Sequence, residues 1–144
     1  MSWRTSASLQ AQQDLDGLLA ASIEFAQQQL TKHGEFYPFV LAVATNGTTT
    51  TLGTRPTLND EHPASSDVIA TGIEALIERR DQLRACAVTA DVRLPNKTDA
   101  IRIDLEHRDG HTISALLPYT PKRKKIEYGQ LSAHAGQARI WSNA

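Results

Sequence analysis

Residues 101–117 read IRIDLEHRDGHTISALL and decide the fold. Apolar side chains occupy every second position on either side of the central Asp-Gly pair, which is the period of β-strands that bury one face. A two-residue turn at that pair would move Ile113 to the charged face. A three-residue loop over 108–110 pairs Leu105 with Ile113 and keeps the apolar side chains together. The stretch therefore predicts an antiparallel hairpin with Gly110 at positive φ.

Two segments have the spacing of amphipathic helices. Apolar side chains recur every three or four residues over 9–33, which predicts a helix capped by Ser8 and ended by a left-handed Gly34. A second helical pattern runs from about residue 65 to residue 82. Both apolar stripes are expected to face the same core.

Three further strands are predicted before the hairpin. Residues 36–45 and 48–52 are β-prone, and the intervening Asn-Gly pair favours a two-residue turn that would set Leu41 opposite Leu52. Every second residue from Cys86 to Leu94 is apolar, and most of the residues between them are polar or small. This alternation predicts a strand with one buried face and one face in water.

The elements follow the order helix, two strands, helix, three strands and a tail. In the tail, residues 126–128 are predicted as a short edge strand and 139–141 as a docked segment. Adjacent strands joined by short turns imply antiparallel pairing. We predict an α+β fold with two layers, a mainly antiparallel sheet of five to six strands and two helices on one face. A single domain is expected over 1–144, with flexible ends at 1–8 and 142–144.

Composition limits the classes of function. Fifteen Lys and Arg against sixteen Asp and Glu give a net charge of −1, which removes a global electrostatic argument for binding nucleic acid or an anionic membrane. Cys86 is the only cysteine, so no intrachain disulfide or cysteine-based metal site can form. No run of eighteen apolar residues occurs. We expect a cytoplasmic protein without a membrane partner.

The first third of the chain, a helix followed by Tyr37-Pro38 and a short hairpin, resembles the start of cytidine deaminases. Such enzymes hold zinc with a histidine or cysteine beside a catalytic glutamate and with a later Pro-Cys-x-x-Cys. The lone Cys86 cannot supply these ligands, so deaminase activity is excluded. The order of elements is similar to that of roadblock-like and profilin-like folds, and topology alone carries no function.

His107 and His111 are the candidate metal ligands. The preferred hairpin register sets them opposite each other, about 5 Å apart at Cβ, a spacing at which two imidazoles could share a metal. Glu106 or Asp109 could contribute oxygen. No third ligand is specified by the spacing, and a polar hairpin tip is the alternative interpretation.

His33, Glu35 and Tyr37 are the candidate catalytic residues. They gather where the first helix meets the first strand, a place where an acid–base group could face a cleft. Each also has a structural explanation, because a histidine favours a helix C-terminus and Tyr37 precedes a proline in an extended segment. No phosphate-cradling loop, dinucleotide fingerprint or nucleophile elbow occurs, and no cofactor is predicted.

One basic run lies between Tyr119 and Tyr128, where cations could neutralise phosphates while the rings stack on bases. The run consists of Lys122, Arg123, Lys124 and Lys125. Four charges in a proline-bounded connection are more often a solvated loop, so the sequence does not favour nucleic acid as a partner.

Residues 36–45 are apolar on both sides, which predicts a strand whose outer face is covered. We predict that Val40, Ala42 and Ala44 contact either the tail or a second copy of the chain. The leading hypothesis is therefore a non-enzymatic protein-binding or self-associating domain, with a homodimer as one form. The alternatives are a small-molecule or metal-dependent enzyme built on the histidine candidates, and weak nucleic-acid binding through the basic run.

Overall fold

The computed structural model describes residues 7–52 and 65–141, and its centre is an antiparallel sheet. The elements in these ranges are α1 (Leu9–His33), β1 (Phe39–Ala44), β2 (Thr49–Leu52), α2 (Ser65–Arg79), a short 3-10 helix (Arg80–Gln82), β3 (Leu83–Arg93), β4 (Asp99–His107), β5 (Thr112–Pro121), β6 (Ile126–Tyr128) and β7 (Ser132–Ala135). The strand order is β2-β1-β3-β4-β5-β6, with β7 also paired to β5. The predicted α+β class and element order are confirmed.

The two helices pack on opposite faces of the sheet. α1 covers the face that carries Ala87 and Ile103, which we call the α1 face. Leu76 of α2 packs on the other face, against Val40 and Cys86, which we call the α2 face. This arrangement corrects the expectation that both helices share one face. The central strands carry apolar side chains on both faces, and each face has to be covered by another element.

β3 is buried on both faces along most of its length. Cys86 and Val88 lie on the α2 face, and this burial agrees with the predicted alternation. Ala87 and Thr89 were expected in water, yet both are 0% exposed. Small side chains at these positions let the sheet approach α1 closely, and alanine and threonine do not by themselves distinguish a helix-covered face from a wet one.

α1 has the bounds that its spacing predicts. The Ser8 hydroxyl accepts the Ala11 N–H at 3.1 Å, and Gly34 at φ +75° ends the helix with its N–H donated to the Leu30 carbonyl. Neither helix in the described ranges is long and apolar enough to cross a membrane. Residues 53–64, before α2, lie outside the described residues, as do residues 1–6 and 142–144 of the flexible ends predicted at 1–8 and 142–144.

The β1–β2, β3–β4 and β4–β5 hairpins share one loop geometry. Each loop has three residues, and the third has a left-handed φ; these third residues are Gly47, Lys97 and Gly110. In each loop the middle side chain accepts the N–H of the residue two positions ahead; these acceptors are Asn46, Asn96 and Asp109. Such local bonds explain why short polar side chains favour turns.

The register of the last of these hairpins is confirmed, whereas that of the first is not. Leu105 pairs with Ile113 across β4 and β5, as predicted. In the β1–β2 hairpin the three-residue loop sets Val40 opposite Leu52, so the predicted two-residue turn is wrong. The observed register places Leu52 on the α2 face, where it packs with Val40 against α2.

The predicted interface on β1 is largely covered within one chain. Val40 and Ala42 are 1% and 0% exposed, because α2 and the docked tail residue Ile140 pack over them. Ala44 is half-buried. Of the two predicted covers, the tail is the one present, together with α2, which was not expected on this face; Val40 and Ala42 are therefore not open to a second copy. The predicted docking of residues 139–141 is confirmed.

Two glycines allow a matched test of this packing. Gly17 lies on the exposed side of α1 with open space where a Cβ would be, whereas a Cβ on Gly136 would stand 2.9 Å from the backbone nitrogen of Ile113. Gly17→Ala should raise the free energy of unfolding by about 0.5–1 kcal/mol, and Gly136→Ala should lower it by about 1–3 kcal/mol. Urea unfolding monitored by circular dichroism measures both, and a Gly136→Ala variant as stable as wild type would contradict the close approach.

Candidate ligand-binding cleft

A cleft of about 550 Å³ opens on the α2 face beside the region that α2 covers. Its floor is formed by the strands β3, β4 and β5, with apolar side chains such as Val92 and Leu116. Its wall is the segment 134–139, which leaves β7 and crosses the start of β5. A volume of this size falls in the range of small-molecule sites, which span roughly 300–1,000 Å³.

Two arginines reach the cleft from different parts of the chain. Arg102 comes from β4 and Arg139 from the tail, and both contact Asp104. Their side chains are 46% and 35% exposed, so the guanidinium groups remain reachable from solvent. Arg93, at the end of β3, borders the cleft, but its Nε binds Asp99 on the α1 face. Asp104 is the one carboxylate among the described lining residues, so two guanidinium groups meet one carboxylate there.

The ion pairs leave much of this guanidinium surface open. Arg102 contacts Asp104 through Nε at 3.2 Å. Arg139 Nη2 lies 3.8 Å from the same Asp104 carboxylate, which is long for a hydrogen bond. A guanidinium bound only at Nε keeps its terminal N–H groups for a carboxylate or phosphate, which it can bind with two parallel bonds.

Glu106 holds the wall of the cleft in place. Its carboxylate is buried and accepts three successive backbone N–H groups, from Arg139 at 2.8 Å, Ile140 at 3.1 Å and Trp141 at 2.9 Å. Arg80 Nη1 also donates to the Ile140 carbonyl at 3.1 Å. Glu106 is therefore an anchor for the tail, and its predicted roles in a wet strand face or as a source of metal oxygen are corrected.

The predicted metal pair is engaged in a different network. His107 is buried; its Nε2 lies 3.0 Å from Asp14 Oδ2, and its Nδ1 accepts the Asp109 backbone N–H. Asp14 also accepts from Arg84 Nη2 at 2.9 Å, and His111 Nδ1 lies 2.9 Å from Asp109 Oδ1. Within residues 7–52 and 65–141 no group of three or more His, Cys, Asp or Glu side chains is placed to hold a metal ion. His107 therefore ties α1 to the sheet, and His111 holds the loop of the last hairpin through Asp109.

The catalytic candidates lie away from the cleft. His33, Glu35 and Tyr37 are all exposed at the junction of α1 and β1, and none of them lines the cleft. A catalytic role for these three side chains stays a prediction that the cleft does not support.

The basic run forms the exposed turn between β5 and β6. Lys122 donates its N–H to the Lys125 carbonyl at 2.7 Å. Tyr119, expected to stack on bases, is buried on the α1 face and donates its hydroxyl to Asp91 at 2.5 Å. Burial raises the pKa of the Tyr119 hydroxyl, and the bond to the Asp91 carboxylate raises it further. The run therefore lacks one of its two predicted aromatic partners.

The arginines of the cleft are not recognisable as a group in the sequence. Arg102 and Asp104 are visible in the β4 pattern, where mixed charges indicate a solvated face. Arg139 joins them only through the docked tail, and no local pattern predicts where a tail packs.

Asp109 offers a test of the hairpin network by pH. Burial raises the pKa of its carboxyl, but hydrogen bonds from the backbone and ring of His111 and the nearby charge of His107 outweigh burial and lower it overall. A lowered pKa means stability that is present at neutral pH and lost as the pH falls through the folded-state pKa. Asp109→Asn, which keeps an oxygen acceptor, should therefore be less stable than wild type at pH 7. The difference in urea midpoint should shrink below about pH 4, near the usual Asp pKa, and a difference that grows with acid would contradict this network.

Comparison with protein-family models, with curated proteins and with solved structures finds no match for the chain.

Proposed function

We propose that the protein is a binding domain whose cleft holds a small anionic ligand with a carboxylate or phosphate group. The observation that carries this proposal is that Arg102 and Arg139, from β4 and from the tail, meet at Asp104 in one cleft of about 550 Å³. Asp104 is the one carboxylate among the described lining residues that opposes them. Carboxylates and phosphates match the planar fork of a guanidinium better than other small anions do.

The rest of the lining favours a ligand with an apolar part. Val92, Leu94 and Leu116 contribute apolar surface to the floor, and His134 adds a polar group on the wall. Small-molecule sites commonly combine an apolar surface with a few placed polar groups. An organic acid or a phosphorylated metabolite fits this combination better than a bare inorganic ion.

Arginine also favours binding over catalysis at this site. Its guanidinium stays protonated at any physiological pH, so it holds an anion but does not move a proton. This chemistry supports the non-enzymatic role among the functions that the sequence suggests.

The test is a titration with two probes, inorganic phosphate and succinate, followed by isothermal calorimetry. Arg102→Gln and Arg139→Gln should each weaken binding roughly tenfold or more, because a hydrogen bond to a charged group contributes about 1.5–3 kcal/mol. The pair Lys124→Gln and Lys125→Gln serves as the control, since it removes two exposed charges from the β5–β6 turn. Wild type that binds neither probe, or equal losses in cleft and control variants, would refute the proposal.

A protein partner remains the second candidate, and a different surface now supports it. The three phenylalanines of the chain, Phe25, Phe36 and Phe39, cluster at the junction of α1 and β1. Phe25 is 42% exposed and packs edge-on against Phe39, with ring centroids 4.7 Å apart. Nearby Tyr37 is 43% exposed. Exposed aromatic clusters are typical of the energetic centre of protein interfaces.

Self-association through this aromatic cluster is testable by light scattering over a dilution series. Wild type should form a dimer whose dissociation constant rises at least tenfold in Phe25→Ser, because interface aromatics often contribute 2 kcal/mol or more. Leu9→Ser is the matched control, since Leu9 is 70% exposed at the other end of the same helix. A monomer at every concentration, or the same change in both variants, would rule out a homodimer at this cluster.

We also propose that the protein works in the cytoplasm. Cys86 is buried, and burial together with the charge of Glu106 raises the pKa of its thiol. A protonated, inaccessible thiol serves as a small core side chain. Such use of a lone cysteine is typical of a reducing compartment.

A further inference from the structure

We infer that Glu106 is a positioning residue for the anion cleft, because its carboxylate docks the tail and the docked tail supplies one wall of the cleft. Anion binding and tail docking are then coupled. This inference rests on the proposed function, since it names what controls that same site.

The first step is the chemistry of the anchor. Glu106 is 5% exposed, and a buried carboxylate is costly unless hydrogen bonds replace its water. Three successive backbone N–H groups, from residues 139–141, supply those bonds. Consecutive N–H groups that converge on one anion form a recognised anion-binding arrangement of the backbone. Both carboxylate oxygens accept, Oε1 from Arg139 and Ile140 and Oε2 from Trp141, so a glutamine side chain with one acceptor oxygen cannot make all three bonds.

The second step is that one residue belongs to both the anchor and the cleft. The backbone N–H of Arg139 binds Glu106, while its side chain lines the cleft and approaches Asp104. If the tail leaves Glu106, Arg139 cannot stay on the wall. The cleft then loses one of its cations and part of its enclosure.

The third step is that the rest of the tail adds contacts without replacing the anchor. Ile140 is 2% exposed in the core of the α2 face, and Arg80 donates to its carbonyl. β7 (Ser132–Ala135), which precedes the docked segment in the chain, pairs with β5. These contacts hold the tail near the sheet, so loss of the anchor should loosen the wall rather than unfold the domain.

The coupling predicts reciprocal effects. An anion that binds only the docked form must itself favour docking, by the same factor as docking favours the anion. A merely structural role for Glu106 would change stability but would not make phosphate restore the tail.

The experiment compares Glu106→Gln with Asp14→Asn. Asp14 is a second buried carboxylate, bound to Arg84 and His107 away from the cleft, so its variant matches the change in chemistry. Trp141 packs against the α2-face core and reports docking by fluorescence once Trp3, the other tryptophan, is replaced by Phe in both backgrounds. The probe for the cleft is inorganic phosphate, titrated by calorimetry.

Glu106→Gln should bind phosphate at least fivefold more weakly, the lower end of typical coupling, and its Trp141 emission should shift to the red. Excess phosphate should move that emission back toward wild type. Asp14→Asn should lose stability with unchanged phosphate affinity and unchanged Trp141 emission. If Glu106→Gln does not fold, Arg80→Gln removes the hydrogen bond to the Ile140 carbonyl, and this variant has to show both the weaker phosphate binding and the red-shifted Trp141 emission.

Three results would overturn the inference, and they are distinguishable from one another. If Glu106→Gln releases the tail but binds phosphate as tightly as wild type, tail docking and anion binding are not coupled. The proposed anion cleft itself would not be contradicted by that result. An unchanged Trp141 emission in Glu106→Gln would show that Glu106 does not anchor the tail. Wild type that binds no phosphate and no succinate would remove the proposed function and the coupling together.

Discussion

The architecture depends on one constraint, which is that the central strands β1 and β3 are apolar on both faces. Each face needs its own cover, so one helix goes to each side. α1, with 25 residues, is about 37 Å long, and α2, with 15 residues, is about 22 Å long. α1 reaches β4, whereas α2 packs on β1, β2 and β3. The α2 face above β4 and β5 is therefore left to the tail, and the cleft opens where the cover is incomplete.

Buried polar groups fix each cover in position. On the α1 face, Asp14 of α1 binds Arg84 of β3 and His107 of β4, which sets the helix against two strands at once. On the α2 face, Glu106 binds the tail through backbone N–H groups. Hydrogen-bonded groups of this kind add little net stability but specify one arrangement, because breaking them leaves a buried charge unpaired. The two carboxylates therefore have parallel roles on opposite faces.

The sequence predicts those features that local chemistry decides. The bounds of α1 follow from Ser8 and Gly34, and the last hairpin follows from the requirement to keep Leu105 and Ile113 together. The first hairpin was mispredicted because its register depends on where Leu52 packs against α2, which is a tertiary fact. The cleft was missed for the same reason, since its arginines meet only after the tail docks.

The distribution of charge explains why a local cleft can select an anion on a chain with net charge −1. At an ionic strength of about 0.15 M, charges more than roughly 8 Å apart in solvent barely influence each other, so the net charge contributes little at the site. Direct hydrogen bonds from the guanidinium groups to the anion dominate its binding, and those bonds depend on how the guanidinium groups are positioned. The exposed turn at 122–125 has more charge in a shorter stretch, but its side chains are solvated and no wall fixes them. Preorganisation by the docked tail, rather than the amount of positive charge, is what distinguishes the cleft from that turn.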